Sequence, residues 1–96
     1  MTHAVHMKSS DYERFSEVLK ALAHPIRLEI IHQLLKKKPL NVSQLQQHLD
    51  IPQSTVSQQL GKLKLLKVVT SSRKGVEVFY RVEDEQAKQV MKILDL

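Results

Sequence analysis

Apolar residues recur at helical spacing along most of this chain, and the recurrence breaks at a few polar or proline-containing clusters. From Asp11 to Leu22 the residues Tyr12, Phe15, Val18, Leu19 and Leu22 share one helical stripe. Ser10 stands where a cap belongs, with Glu13 placed to complete a capping box. Ala23-His24-Pro25 interrupts the stripe; His24 can cap, and Pro25 suits the first position of the next helix. That helix, Pro25 to Lys36, spreads Ile26, Leu28, Ile30, Ile31, Leu34 and Leu35 over an arc wide enough for the centre of a core. Lys36-Lys37-Lys38-Pro39 ends it, and the three cations complement the helix dipole. Asn41 caps a short third helix, Val42 to Leu49, whose Val42, Leu45 and Leu49 face inward. Asp50-Ile51-Pro52 then makes a tight turn into a fourth helix running to about Lys67, with Val56, Leu60 and Leu63 as its apolar seam.

Beyond Lys67 the period changes. Val68 to Ser72 has strand character, Arg73-Lys74-Gly75 reads as a turn, and Val76 to Val82 alternates. Val76, Val78 and Tyr80 take one face of that strand and Glu77, Phe79 and Arg81 the other. A last helix from Asp84 to about Asp95 starts in acids, as a helix N-terminus prefers, and spaces Ala87, Val90, Met91 and Leu94 on one side, with Ile93 and Leu96 adding apolar surface. The expected fold is mainly α with a small β-hairpin: four helices, two strands and a fifth helix, a winged helix-turn-helix. Residues 1–9 are expected to form a flexible start and residues 10–96 a single domain. The stripes of the first and last helices lie beyond the winged core, and a chain of 96 residues has little left to bury them against. A homodimer is therefore expected, with Tyr12, Phe15, Leu19, Val90, Met91 and Leu94 meeting across a two-fold axis.

Charge sharpens the functional reading. The formal net charge is +5. From Gln53 to Arg81 the cations Lys62, Lys64, Lys67, Arg73, Lys74 and Arg81 face Glu77 alone, so this segment carries the whole excess. The other 67 residues hold nine basic and nine acidic side chains. Such confinement is the electrostatic footprint of a phosphate-backbone reader, which a uniformly solvated lysine surface does not explain. The chain has no cysteine, which excludes disulfides and thiol redox sensing by its own residues. No apolar run approaches the ~20 residues of a membrane span, and no signal-peptide pattern is present. A soluble, cytoplasmic protein without a membrane partner is expected.

The fourth helix carries the chemistry. At about 100° per residue, Ser54, Gln58, Gly61 and Leu65 lie opposite the apolar seam, flanked by Gln53, Ser57 and Lys62. Short uncharged polar side chains of this kind, Gln59 included, hydrogen-bond to base edges and phosphates. Gln58 and Ser57 are the expected base readers, because an amide can pair bidentately with adenine. Gln53, Ser54 and Thr55 at the helix N-terminus are placed for phosphate. Lys62 and the hairpin's Arg73 and Lys74 would supply phosphate attraction. Gly61 either permits close approach to the duplex or is a small residue tolerated by chance. Two recognition helices of a dimer would meet palindromic half-sites about one turn apart, ~10 bp.

Two motifs in order point to a family. Ala21-Leu22-Ala23-His24-Pro25-Ile26-Arg27-Leu28-Glu29-Ile30 resembles the opening signature of the ArsR/SmtB family of winged-helix repressors, Leu45 through Leu60 resembles its helix-turn-helix, and Arg73–Tyr80 resembles its wing. The resemblance spans about Tyr12 to Leu94 and implies a dimer of five helices and a wing that blocks transcription from an imperfect palindrome. One departure bears on sensing. Where many members place a thiolate pair, Leu-Cys-Val-Cys, this chain has Leu40-Asn41-Val42-Ser43. A second family site on the last helix needs imidazole ligands, and that helix has no histidine. Zinc and softer metals need sulfur or imidazole at defined spacing, so no metal and no other cofactor is expected. His3 and His6 would share a face if the N-terminus were helical, the one spacing that leaves a metal question open; His32 and His48 are expected at the surface. The chain lacks a Gly-x-Ser-x-Gly elbow, a phosphate-binding glycine loop and a His-Glu-x-x-His motif, and no enzymatic activity is expected. Two alternatives stay open: a regulator of the same fold that responds to a ligand or partner, and a winged helix used for protein interaction. The uncharged Ser/Gln face argues against the latter, since protein interfaces favour aromatic and apolar anchors.

Overall fold

In the computed structural model, which describes residues 8–94, five helices and one hairpin follow the expected order. They are α1 (Ser9–Leu22), α2 (Pro25–Lys37), α3 (Val42–Leu49), α4 (Gln53–Leu65), β1 (Val69–Lys74), β2 (Glu77–Val82) and α5 (Glu85–Ile93). The helix starts are built from local hydrogen bonds. His24 Nδ1 accepts from the Ile26 amide at 3.1 Å, with Pro25 in the first turn behind it. Asn41 and Gln44 form a reciprocal box, each side-chain oxygen accepting from the other's amide at 2.8 and 2.9 Å. Asp84 Oδ1 accepts from the Ala87 amide at 2.9 Å.

Helix α1 departs from expectation. It opens at Ser9, so Lys8 takes the cap position in place of Ser10, and Asp11 instead of Glu13 accepts from the Lys8 amide at 3.0 Å. Asp11 supplies the carboxylate half of a capping box two residues earlier, while Lys8 makes no side-chain cap bond. The expected flexible start thus loses Lys8 and Ser9 to the helix; the rest of it, with His3 and His6, lies outside the described residues.

Helix α2 is the centre of the core. Ile30, Ile31 and Leu34 are buried, and the helix packs against α1, α3, α4 and β2. Val18, Ala21 and Leu22 of α1, Leu45 of α3, Val56, Leu60 and Leu63 of α4, and Ala87 and Met91 of α5 complete the core with Val68, Val69 and Val82. Removing a fully buried leucine such as Leu60 from this cluster costs about 2–5 kcal/mol.

The hairpin is tighter than expected. Strands β1 and β2 pair antiparallel from Val69 with Val82 to Lys74 with Glu77, so the turn is only Gly75 and Val76. Gly75 has φ +64°, a conformation that favours glycine and lets a two-residue loop close the strands. Arg73 and Lys74, expected in the turn, are the last residues of β1 instead. The α2–α3 connector adds a bridge to the outer edge of β2: the Tyr80 amide donates to Leu40 at 2.8 Å, and the Leu40 amide donates back at 3.2 Å.

The stripes of α1 and α5 divide. Their inner members are buried in the chain's own core, while Tyr12, Leu19, Ile93 and Leu94 remain exposed. Phe15, Leu19, Val90 and Ile93 line an apolar groove between the two helices. Met91 is a correction: it is 2% exposed and packed beside Ala87, so it belongs to the monomer core and is not available to a partner.

Candidate nucleic-acid interface

Helices α3 and α4 are joined by a turn in which Asp50 adopts a left-handed conformation, φ 55°, and donates its amide to the Gln46 carbonyl at 2.8 Å. A short polar residue tolerates that conformation. Pro52 then sits at the cap of α4 and brings no side-chain acceptor. Helices α2, α3 and α5 have side-chain caps, whereas no side chain caps α4, where the Pro52 carbonyl accepts from the Thr55 and Val56 amides at 3.0 and 3.2 Å.

The seam of α4 is anchored by Val56, Leu60 and Leu63, all fully buried. This fixes the rotation of the helix and turns Gln53, Ser54, Ser57, Gln58, Gly61 and Lys62 to the surface, with Thr55 half-buried. A Cβ on Gly61 would meet nothing within 4 Å, so packing inside the chain does not require glycine there. Leu65 ends the same stripe and is exposed.

Gln59 does not belong with the readers. It is 8% exposed, and its Oε1 accepts from Arg27 Nη1 at 3.2 Å. Position 59 falls three after Val56 and four before Leu63, which is the inner stripe, so the periodicity itself carried the signal. Arg27 spreads its fork over three partners: Nε donates to the Ala21 carbonyl at 2.7 Å and Nη2 to that of Lys20 at 3.3 Å. One guanidinium therefore ties the end of α1 and the start of α2 to the middle of α4, a role that sequence reasoning missed.

The hairpin stands beside α4. Lys64 Nζ donates to Ser71 Oγ at 2.8 Å and pins β1 to the helix, so this lysine holds structure in addition to adding charge. Arg73 and Lys74 are exposed next to the tip, Lys74 with its ammonium 6.0 Å from the Phe79 ring. Val76, at the tip, is 95% exposed. The uncapped start and polar face of α4 and the two basic residues of the hairpin lie on elements that are consecutive and packed together.

Asn41 is committed to capping α3, and Ser43 is an exposed residue of its first turn. Among the described residues no three His, Asp or Glu side chains converge, and no helix is long and apolar enough to cross a membrane.

Comparison with known proteins agrees with this geometry. Residues 24–71 match the family described as bacterial regulatory protein, arsR family. The chain is 44% identical over 80 residues to the transcriptional repressor PagR of Bacillus anthracis, covering 83% of this chain and 80% of that one. The crystal structure of that repressor superposes with a TM-score of 0.85 over 91% of this chain and 99% of the other, at 41% identity. The biofilm growth-associated repressor of Xylella fastidiosa is 34% identical over 93 residues, 93% of this chain and 81% of that one. A solution structure from Mycobacterium bovis, described as a homodimeric winged helix-turn-helix DNA-binding domain, matches at 25% identity and a TM-score of 0.79, covering 99% of this chain and 87% of that one. With the helix-turn-helix, the wing and the sequence in agreement, this chain belongs to the arsR family of bacterial regulatory proteins.

Proposed function

We propose that this protein is a homodimeric repressor that binds a palindromic operator in the cytoplasm and does so without sensing a metal. The observation that carries the reading is α4, whose exposed Gln53, Ser54, Ser57 and Gln58 stand on a helix start without a side-chain cap. Backbone amides and small hydroxyls there suit phosphate oxygens, and Gln58 suits adenine N6 and N7 in the major groove. Lys62, Arg73 and Lys74 supply sequence-independent attraction on either side. The exposed apolar groove between α1 and α5 supports a two-fold partner of the same kind. Relatives described as repressors support repression as the outcome. Asn41 acts as a helix cap at the position where metal-sensing relatives would offer a thiolate, which supports regulation without a metal.

Selection of bound duplexes from a random library at moderate salt tests this reading. Enrichment of a palindrome with half-sites ~10 bp apart is the expected result. Salt-sensitive binding with no enriched sequence would overturn it and favour an interaction module.

A further inference from the structure

The recognition helix packs mainly on α2, α3 and β1. Its last turn stands apart from α1 across an open groove lined by Glu17, Lys20, Arg27, Lys62, Leu65 and Leu66. Arg27 joins α1 to Gln59 at mid-helix, and a second arginine makes the connection at the helix end. Arg14, on α1, donates through Nη1 to the Leu66 carbonyl at 2.7 Å and through Nη2 to the Lys67 carbonyl at 3.4 Å. The same Nη2 donates to Asp84 Oδ2 at 2.6 Å. The Asp84 side chain is 7% exposed, and its other oxygen caps α5. Lys67 itself has φ 62°, a conformation unfavourable for a lysine, and the next residue, Val68, accepts from the amides of Glu83 and Asp84 at 2.9 and 3.2 Å. A single guanidinium therefore joins α1, the C-terminus of α4 and the start of α5.

We propose that Arg14, held by Asp84, is a positioning residue for DNA recognition. It sets the place of α4 relative to the two helices that carry the exposed apolar groove, and thereby the half-site separation that the dimer accepts. This inference rests on the DNA-reading dimer proposed above. The planar fork of arginine suits the role, because it reaches two carbonyls and a carboxylate in fixed directions, which a lysine cannot do. Neither residue lies on α4 or the hairpin, the elements proposed to meet DNA. Specific binding needs two recognition helices one helical turn apart, whereas non-specific binding needs only charge near phosphate. Loss of positioning therefore separates the two, and loss of folded protein lowers both together.

The test uses the full chain with Arg14→Lys, which keeps the charge, and Asp84→Asn, which keeps a capping oxygen on α5. Each is titrated against the palindrome that the wild-type chain enriches, against versions with the half-sites one base pair closer and one farther, and against random-sequence duplex. The expected result is a loss of about tenfold in the ratio of palindrome to random affinity, the scale of a mismatched base pair. Random-duplex affinity and its salt slope stay at wild type, and the preference for one spacing broadens. An unchanged ratio and an unchanged spacing preference overturn the proposal, as does an equal fall on both kinds of DNA, which marks a merely structural ion pair. If the wild-type chain enriches no palindrome, the DNA reading itself fails, and the inference with it.

Discussion

Truncating the apolar surface shared by α1 and α5 puts a number on the proposed two-fold assembly. Leu19 is 54% exposed and Ile93 81% exposed in the single chain. Full burial of such a side chain is worth about 1.5–3 kcal/mol, so covering the exposed part gains roughly 1 kcal/mol at Leu19 and roughly 1.5 kcal/mol at Ile93. A two-fold axis repeats every contact, which doubles each loss to about 2 and about 3 kcal/mol per dimer. Leu19→Ala is then expected to raise the dimer dissociation constant ~30-fold and Ile93→Ala ~150-fold. Val76→Ala is the control: it removes similar surface from a residue 95% exposed at the hairpin tip, away from the groove, and is expected to change nothing. Sedimentation over a dilution series reads all four chains. Both groove residues are largely exposed in the monomer, so the melting of the individual fold contributes little to the difference. A wild-type chain that sediments as a monomer throughout, or groove variants that dissociate at the wild-type concentration, would refute the argument.

Three further outcomes are expected at the DNA face. Gln58→Ala should cost about 1–3 kcal/mol on the selected palindrome and relax preference at one base position per half-site, read by competition among single-base variants; equal weakening on all sequences would remove Gln58 from the readers. Arg73→Ala should lower affinity for every sequence and reduce the slope of log K against log salt by about 0.9 for each half-site, whereas an unchanged slope would place the wing off the backbone. Gln59→Ala should leave base preference intact and lower stability by about 1–2 kcal/mol, because it removes the acceptor of a charged donor in a part-buried site. In a domain of this size that is a fall of roughly 4–16 °C in melting temperature at fixed protein concentration, and a relaxed base preference at unchanged stability would return Gln59 to the readers.

Elements were legible where a single local rule decides them. Pro25 behind His24 and Asn41 ahead of Val42 each fix a helix start by chemistry within four residues, and the structure agrees at both; Asp84, expected as the first residue of the last helix, is its cap instead. The start of α1 differs because the capping rule favours Ser10 with Glu13, whereas the helix runs two residues further back, to a Lys8 that has no side-chain acceptor and whose amide is held by Asp11. The hairpin turn was set too early for a related reason. Arg73 and Lys74 have weak strand preference, yet pairing with Val78 and Glu77 keeps them in the ladder until Gly75 allows the chain to reverse. The bridge from Leu40 to Tyr80 links positions 40 residues apart and leaves no periodic mark.

Within the site, legibility follows whether a side chain answers to its own helix or to another. The outward set on α4 follows from the Val56–Leu60–Leu63 seam, because burying those three fixes the helix rotation and so the direction of Ser54, Ser57 and Gln58. Gln59 was misassigned by residue type: a glutamine beside Gln58 looks like a second reader, although its helical phase is inward. What makes a buried amide tolerable is Arg27, which is distant in sequence and already held by two carbonyls at the α1–α2 corner. Met91 is the converse, an apolar residue assigned to a partner that finds its burial within its own chain. Arg14 and Asp84 stand 70 positions apart, and the sequence pattern gives the first no role and the second only a place among the acids that open the last helix. Only the fold makes them one device, because the α4–β1 corner brings the Leu66 carbonyl within reach of the same guanidinium. The proposed reading surface is therefore a local property of α4, while the contacts that tie this helix to α1 and α5 come from arginines of α1 and α2.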